Sequence, residues 1–396
     1  MTSVPANPQL LSWARHESGF ALEQVAKRLN VKPERVEAWE RLDTEIKPTM
    51  RQIENLAKFF HRPLSVFFMA KPPELKPLAA DYRRLPGIVT GHESPQLRLA
   101  LRQMLLRREN ALNLFGEIGE AIPEFKLRAA LSESPQAVGL RLREASGISF
   151  DEQRGWPSEW RAWARWREAL EGLGVLVFQF SKVPLSEVRG VALLNLPLPV
   201  AGINSKEIPE AKCFTALHEV VHLMLAAGQQ EAPALVENRS EKEWDDVERF
   251  AEIAASHALV SEQGLKVVIA SLGGVPAQWG LEEVKRVARR FRITPLAMAT
   301  RLRESGYLSW ARYQAWRAEW DAYVATLPAR KGGFATPVSK ALSYNGRPFT
   351  QLVLEALGTN RVTPLTASRY LGLKFEHFGK LREALGEGSQ EPAFDE

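Results

Sequence analysis

The chain has 396 residues, enough for two or three domains with sizeable cores, and its apolar and charged fractions are those of an ordinary globular protein. A net charge of +5 permits an acidic partner without requiring one, and a single cysteine, Cys213, excludes an internal disulfide and suits a reducing cytoplasm. The opening MTSVPANPQL lacks a signal-peptide pattern, and no run of about 18 uncharged apolar residues occurs, so no membrane span is expected.

Residues 8–69 read as a string of short helices. The first covers 9–18. The second covers 21–29, with Leu22, Val25, Ala26 and Leu29 at helical spacing. Asn30 suits a left-handed turn, and Pro33 suits the first position of a third helix that runs to about Leu42 with Val36 and Trp39 inward. Thr49 caps a fourth helix, and Pro63 opens a short fifth. The proline-rich KPPELKP at 71–77 is expected to be a linker.

Two long arginine-rich helices follow, near 95–115 and 135–147, and another at 158–172. Their arginines (Arg98, Arg102, Arg107, Arg108, Arg141, Arg143) form either a basic patch or a solvated face. The period then changes. GVLVFQF (174–180), GVALLNL (190–196) and PVAGIN (199–204) are rich in branched apolar residues and read as strands. Helices resume at 207–227, 242–260, 263–271, 281–291 and 295–305. The tryptophans of 156–166 and 310–320 have the spacing of packing residues. A break at Lys331-Gly332-Gly333 precedes a small helical tail that ends in polar residues. Within it, VTPLTASRYLGLKFEHFGKLREAL loosely suggests a second helix-turn-helix; before the break, VKRVARRFRITPLAMATRLRE in 281–305 carries a similar pattern and is expected to close the preceding domain. The expected domains are therefore 1–70, a linker at 71–78, 79–330, and 331–396.

The stretch TALHEVVHLMLAAG places His218, Glu219 and His222 in a helix that is otherwise apolar. Positions four apart lie about 40° from each other around a helix, so both imidazoles face one side and can share one zinc ion. Glu219 is turned by roughly 100° from His218, where it can take a proton from an activated water. The alternative is a pair of structural histidines, against which stands the cost of burying polar groups without partners. A third ligand is sought in EKEWDDVERFAEIAASHALV. Glu248 lies beside its apolar stripe and is the choice. Glu252, one turn later, is assigned as an outer acceptor for a ligating histidine. Asp245 and Glu252 also fit a solvated acidic face. His257 lies about 180° from Glu248 and is set aside, and Cys213 reads as a small buried residue.

These segments resemble the ImmA/IrrE family of metallopeptidases. KCFTALHEVVHLML, VERFAEIAASHALV and the strand pair ending in AGINS carry the likeness, and AADYRRLP at 79–86 is similar to a D-F-R element of the family. The resemblance covers roughly 75–325. It implies His218, His222 and Glu248 as zinc ligands and Glu219 as general base; manganese is the other ion this ligand set would take. Glu252 stands where the family usually has Asn, and Ala254 where it often has Phe. Residues 8–69 resemble a Cro/repressor-type helix-turn-helix. Lys32, Arg35 and Arg41 are its candidate DNA contacts, although three acidic residues between 32 and 42 offset the three basic ones.

The expected fold is α+β and mostly helical: an N-terminal helix-turn-helix bundle, a zincin-like metallopeptidase domain with a small sheet, and a small C-terminal helical domain. The resemblance implies a cytoplasmic zinc endopeptidase that cleaves a repressor or antitoxin to control transcription. The rival is a non-catalytic DNA-binding regulator or antitoxin that uses the same fold as a scaffold, with the N-terminal module holding DNA, a partner protein or a dimer.

Overall fold

The computed structural model describes residues 3–73, 93–228, 241–327 and 335–386. Most of the expected linker, the AADYRRLP segment, the Lys331-Gly332-Gly333 break and the polar C-terminal residues lie outside these. The chain divides into two compact units, Met1–Gln103 and Met104–Glu396.

The first unit contains α1 (Pro8–Ser18), α2 (Leu22–Leu29), α3 (Pro33–Glu40), α4 (Met50–Phe60) and a 3-10 turn at Leu64–Phe68. Leu11, Ala14, Val25, Val36, Trp39, Ile53, Leu56, Phe60 and Phe67 form its core. Asn30 takes the left-handed conformation (φ 54°) that the α2–α3 turn requires, and Thr49 and Gln52 form a capping box on α4. Arg15 grips Glu40 at the end of α3 with two bonds of 2.7 and 2.8 Å. The third helix stops at Glu40, short of the expected Leu42, where Arg41 turns extended. Arg41 is extended and pairs with Asp43 at 2.6 Å, so it does not lie on the helix expected to face DNA.

The next elements are α5 (Pro95–Ile118), α6 (Pro135–Ser146), α7 (Phe150–Gly155), α8 (Glu159–Gly172), β1 (Leu176–Phe180), β2 (Gly190–Leu193), β3 (Val200–Asn204), α9 (Pro209–Gly228) and α10 (Glu241–Leu259). They are followed by α11 (Glu262–Ser271), α12 (Leu281–Phe291), α13 (Pro295–Glu304), α14 (Trp310–Ala325), α15 (Pro337–Asn345), α16 (Arg347–Gly358), α17 (Pro364–Leu371) and α18 (Phe378–Gly386). The fold is mostly helical with one small sheet, as expected. No described helix is long and apolar enough to cross a membrane.

The sheet has the order β1-β3-β2, with β1 parallel and β2 antiparallel to β3. Every strand residue is buried, so both faces are covered. Val177, Ala192, Ala201 and Ile203 join the helical core that contains α8 and α9. On the other face Phe178 meets Phe349 of α16 edge-on at 5.9 Å, and Gly202 leaves space for Met104, whose sulfur lies 2.5 Å from where a β-carbon would stand. The outer edge of β1 is closed. The Val177 carbonyl accepts from Arg167, which also holds Glu171 at 3.0 Å and the Ser343 carbonyl of α15 at 3.0 Å. The outer edge of β2 has no strand partner among the described residues.

Several arginines thus form neither a patch nor a solvated face. Arg108 donates to the carbonyls of Asn195 (2.7 Å) and Leu198 (2.8 Å). Arg143 donates to the Ala258 carbonyl (2.9 Å) at the end of α10 and to Gln153 (2.9 Å). A guanidinium fork satisfies several carbonyls at a helix end or loop that no backbone amide can reach. Trp163, Trp166 and Trp316 are fully buried, whereas Trp310 is 58% exposed at the start of α14 and is not a packing residue of the expected kind. The left-handed pivot of the α2–α3 turn recurs at Arg292 (φ 54°) before α13 and at Gly372 (φ 60°) after α17. In α13 Met298, Ala299, Arg301 and Leu302 are all buried, so that repeat is packed inward.

Two stability predictions follow from the bed on which α10 lies. A β-carbon on Gly139 of α6 would stand 2.2 Å from the Ala254 carbonyl oxygen. Alanine gains about 1 kcal/mol of helix propensity over glycine, but forcing two helices apart costs about 1–3 kcal/mol. Gly139→Ala is therefore expected to lower the denaturant midpoint. The second concerns His257 of α10, whose pKa is pushed down to about 4 by burial and by Arg301, 3.3 Å away. The unfolded chain takes up this proton below pH ~6.5 and the folded chain only near pH 4, so stability falls as pH drops through that window. His257→Gln should flatten that part of the stability–pH curve, measured by urea melts at pH 7 and pH 5.

Candidate metal centre

Helix α9 is buried along most of its length. Ala216, Leu217, Val220, Val221, Leu223, Met224 and Leu225 are all buried, and Glu219 and His222 are buried among them. Within these apolar surroundings the two imidazoles point to one shared place. His218 and His222 lie one turn apart, with Nε2 atoms 2.9 Å from each other and rings at 87°. Helix α10 packs beside α9 and brings Glu248 to the same point. Its Oε2 is 3.2 Å from His218 Nε2, and its Oε1 is 3.3 Å from His222 Nε2.

Electrostatics tie the three together. Burial would raise the Glu248 carboxyl pKa, but hydrogen bonds from His218 and His222 outweigh it and hold the group well below the usual carboxylate range. Burial would lower the His218 pKa, yet the Glu248 hydrogen bond and the charges of Glu219, Glu248 and Glu252 raise it. Two imidazole nitrogens and a carboxylate oxygen lie within 4.8 Å of one another. Ligands about 2.0–2.1 Å from a tetrahedral zinc ion stand roughly 3.3 Å apart, so the observed spacings fit one divalent ion. Three protein ligands of this type leave one position open.

Glu219 lies one residue from His218 and turns toward β2. A β-carbon on Gly190 would stand 2.5 Å from Glu219 Oε1 and 2.6 Å from Thr215 Cγ2. Glycine is thus needed at the start of β2 for α9 to come this close. Beside it runs a second polar set. Buried Glu207, in the loop before α9, accepts from the Thr215 hydroxyl at 2.7 Å with one oxygen and from Arg189 Nη1 at 3.0 Å with the other. Burial pushes the Glu207 carboxyl up, and these hydrogen bonds oppose it. Sequence reasoning missed Gly190, Glu207 and Thr215. Glu207 follows no motif spacing, and only the glycine in an apolar strand signalled a close approach.

The remaining candidates lie elsewhere. Glu252 is exposed and bonds to neither imidazole; it reaches His218 only through its charge. The Nδ1 of His218 is buried and has no hydrogen-bond partner among the described residues, so the acceptor role expected of Glu252 is not filled by it. A glutamate one turn beyond Glu248 faces further round the helix than the shared point. Asp245 is exposed. His257 lies by Arg301, away from the three ligand atoms. Cys213 is buried, its Sγ 3.3 Å from the Pro209 carbonyl. In the first unit Lys32 and Arg35 are exposed.

A comparison with curated proteins finds no match. Residues 170–303, from the end of α8 into α13, match the peptidase family described as the IrrE N-terminal-like domain. That stretch contains the sheet, His218, Glu219, His222 and Glu248, and its similarity supports the ImmA/IrrE family and points to a metallopeptidase.

Proposed function

We propose that the protein is a zinc-dependent endopeptidase that cleaves a regulatory protein, such as a repressor or antitoxin, and so controls transcription. The observation that carries this reading is the convergence of His218, His222 and Glu248 beside the buried carboxylate of Glu219. His218, His222 and Glu248 would hold the ion, with manganese as the other candidate. When bound, the ion supplies Lewis acidity toward a peptide carbonyl and a water molecule. Glu219, held between α9 and β2, takes the water proton and passes it to the leaving amine. The edge of β2 that has no strand partner among the described residues offers backbone groups to an extended substrate, which would add there as a strand next to Glu219. On this reading the first unit brings the peptidase to DNA or to a partner protein through Lys32 and Arg35, with Arg41 engaged by Asp43.

Two measurements test it. Metal analysis should find about one divalent ion per chain. His222→Ala should weaken binding by more than the roughly 10–100-fold lost with an outer partner, and affinity should fall with pH as the imidazoles protonate. Glu219→Gln should keep the ion and lower the cleavage rate by about 10²–10⁴-fold. Undiminished proteolysis by that variant would remove Glu219 from the chemistry.

A further inference from the structure

The Arg189–Glu207–Thr215 set has no part in holding the ion, yet it is built with care that a surface arginine does not need. Arg189 is 64% exposed, while the Glu207 carboxylate it grips is almost wholly buried. Both Glu207 oxygens are engaged, one by Arg189 and one by Thr215. Thr215 stands one helical turn before Glu219 on the same side of α9, and both touch the place where a Gly190 side chain would be. Arg189 immediately precedes Gly190, and its carbonyl accepts from the Asn204 amide at 2.8 Å, so it continues the β2–β3 pairing.

The guanidinium has five N–H donors. Among the described residues only Nη1 is engaged by a side chain, and the rest of the fork faces solvent. One edge is thus fixed and the other is free. Such an arrangement lowers the ordering cost of receiving a second anion. A strand advances about 3.4 Å per residue, so a peptide laid along β2 places the residue opposite Arg189 within about two positions of the one opposite Glu219.

We propose that Arg189 is a specificity residue that receives a substrate carboxylate within about two residues of the cleaved bond. The carboxylate comes from an aspartate or glutamate side chain or from a chain terminus. This inference rests on the peptidase reading and on the use of the β2 edge. Glu207 and Thr215 are positioning residues for it.

The test uses the full chain loaded with zinc and a mixed-sequence decapeptide library with free or amidated C-termini, with products sequenced by mass spectrometry. Cleaved peptides should be enriched about tenfold in Asp or Glu near the cut. If enrichment survives amidation, the carboxylate is a side chain; if cleavage is confined to free termini, it is the chain end. Arg189→Gln should abolish the preference and raise KM for an acidic peptide about tenfold, with kcat and zinc content nearly unchanged. Arg189→Lys should retain part of the preference, and Arg189→Glu should shift it to basic residues. The same cleaved set and the same KM in Arg189→Gln would overturn the proposal. A second measurement needs no turnover: fluorescence anisotropy of a labelled decapeptide with one central Asp, and of its Asn counterpart, on zinc-loaded Glu219→Gln protein. Equal or absent binding of the two also overturns it. Charge-dependent binding that Arg189→Gln abolishes, in a protein that cleaves nothing, sustains the carboxylate site and defeats the peptidase reading alone.

Discussion

Two imidazoles and two carboxylates lie where a buried helix, α9, meets the apolar stripe of α10, and the rest of the second unit is arranged around that burden. Polar groups withdrawn from water must find partners or lose several kcal/mol each. His218, His222 and Glu248 find one another within hydrogen-bonding range. The same mutual satisfaction that lowers the Glu248 pKa and raises that of His218 is the arrangement a divalent cation would exploit. The spacing of α9 from its neighbours is therefore a chemical quantity as well as a packing one. Gly190 lets the sheet approach Glu219, and Gly139 lets α6 approach the helix that bears Glu248.

The arginines serve this geometry from a distance. A three-stranded sheet is a poor platform by itself, with two edges and few backbone partners. Arg167 closes the β1 edge and ties it to α15, while Arg108 gathers the carbonyls of the β2–β3 connection. Arg143 caps the end of α10. The β2 edge is left without a strand partner among the described residues, and it is the edge next to Glu219. A platform closed on one side and free on the other is what an enzyme needs if it reads a substrate by backbone pairing.

Much of this was legible in the sequence, and the reasons differ by element. The helices of the first unit announce themselves through Asn30, Pro33 and Thr49, residues that suit a left-handed pivot, a first turn and a cap. The strands announce themselves through runs of branched apolar residues. Helix α14 was read only as spaced tryptophans, because its exposed face leaves little amphipathic contrast and Trp310 lies outside the core. The end of α3 at Glu40, which leaves Arg41 outside the helix, is not legible because no glycine or proline marks it in the sequence.

Local chemistry alone determined that two histidines face one way in a buried helix, since the helical period allows nothing else. It also determined the mostly helical composition with a small sheet. Only the tertiary structure decided that Glu248 reaches the histidines while Glu252 does not, because a helix's rotation about its own axis is set by its packing against α6 and α9. Only the tertiary structure joined Arg189, Glu207 and Thr215. They come from a strand, a loop and a helix, and no spacing rule relates positions whose nearness is created by the fold.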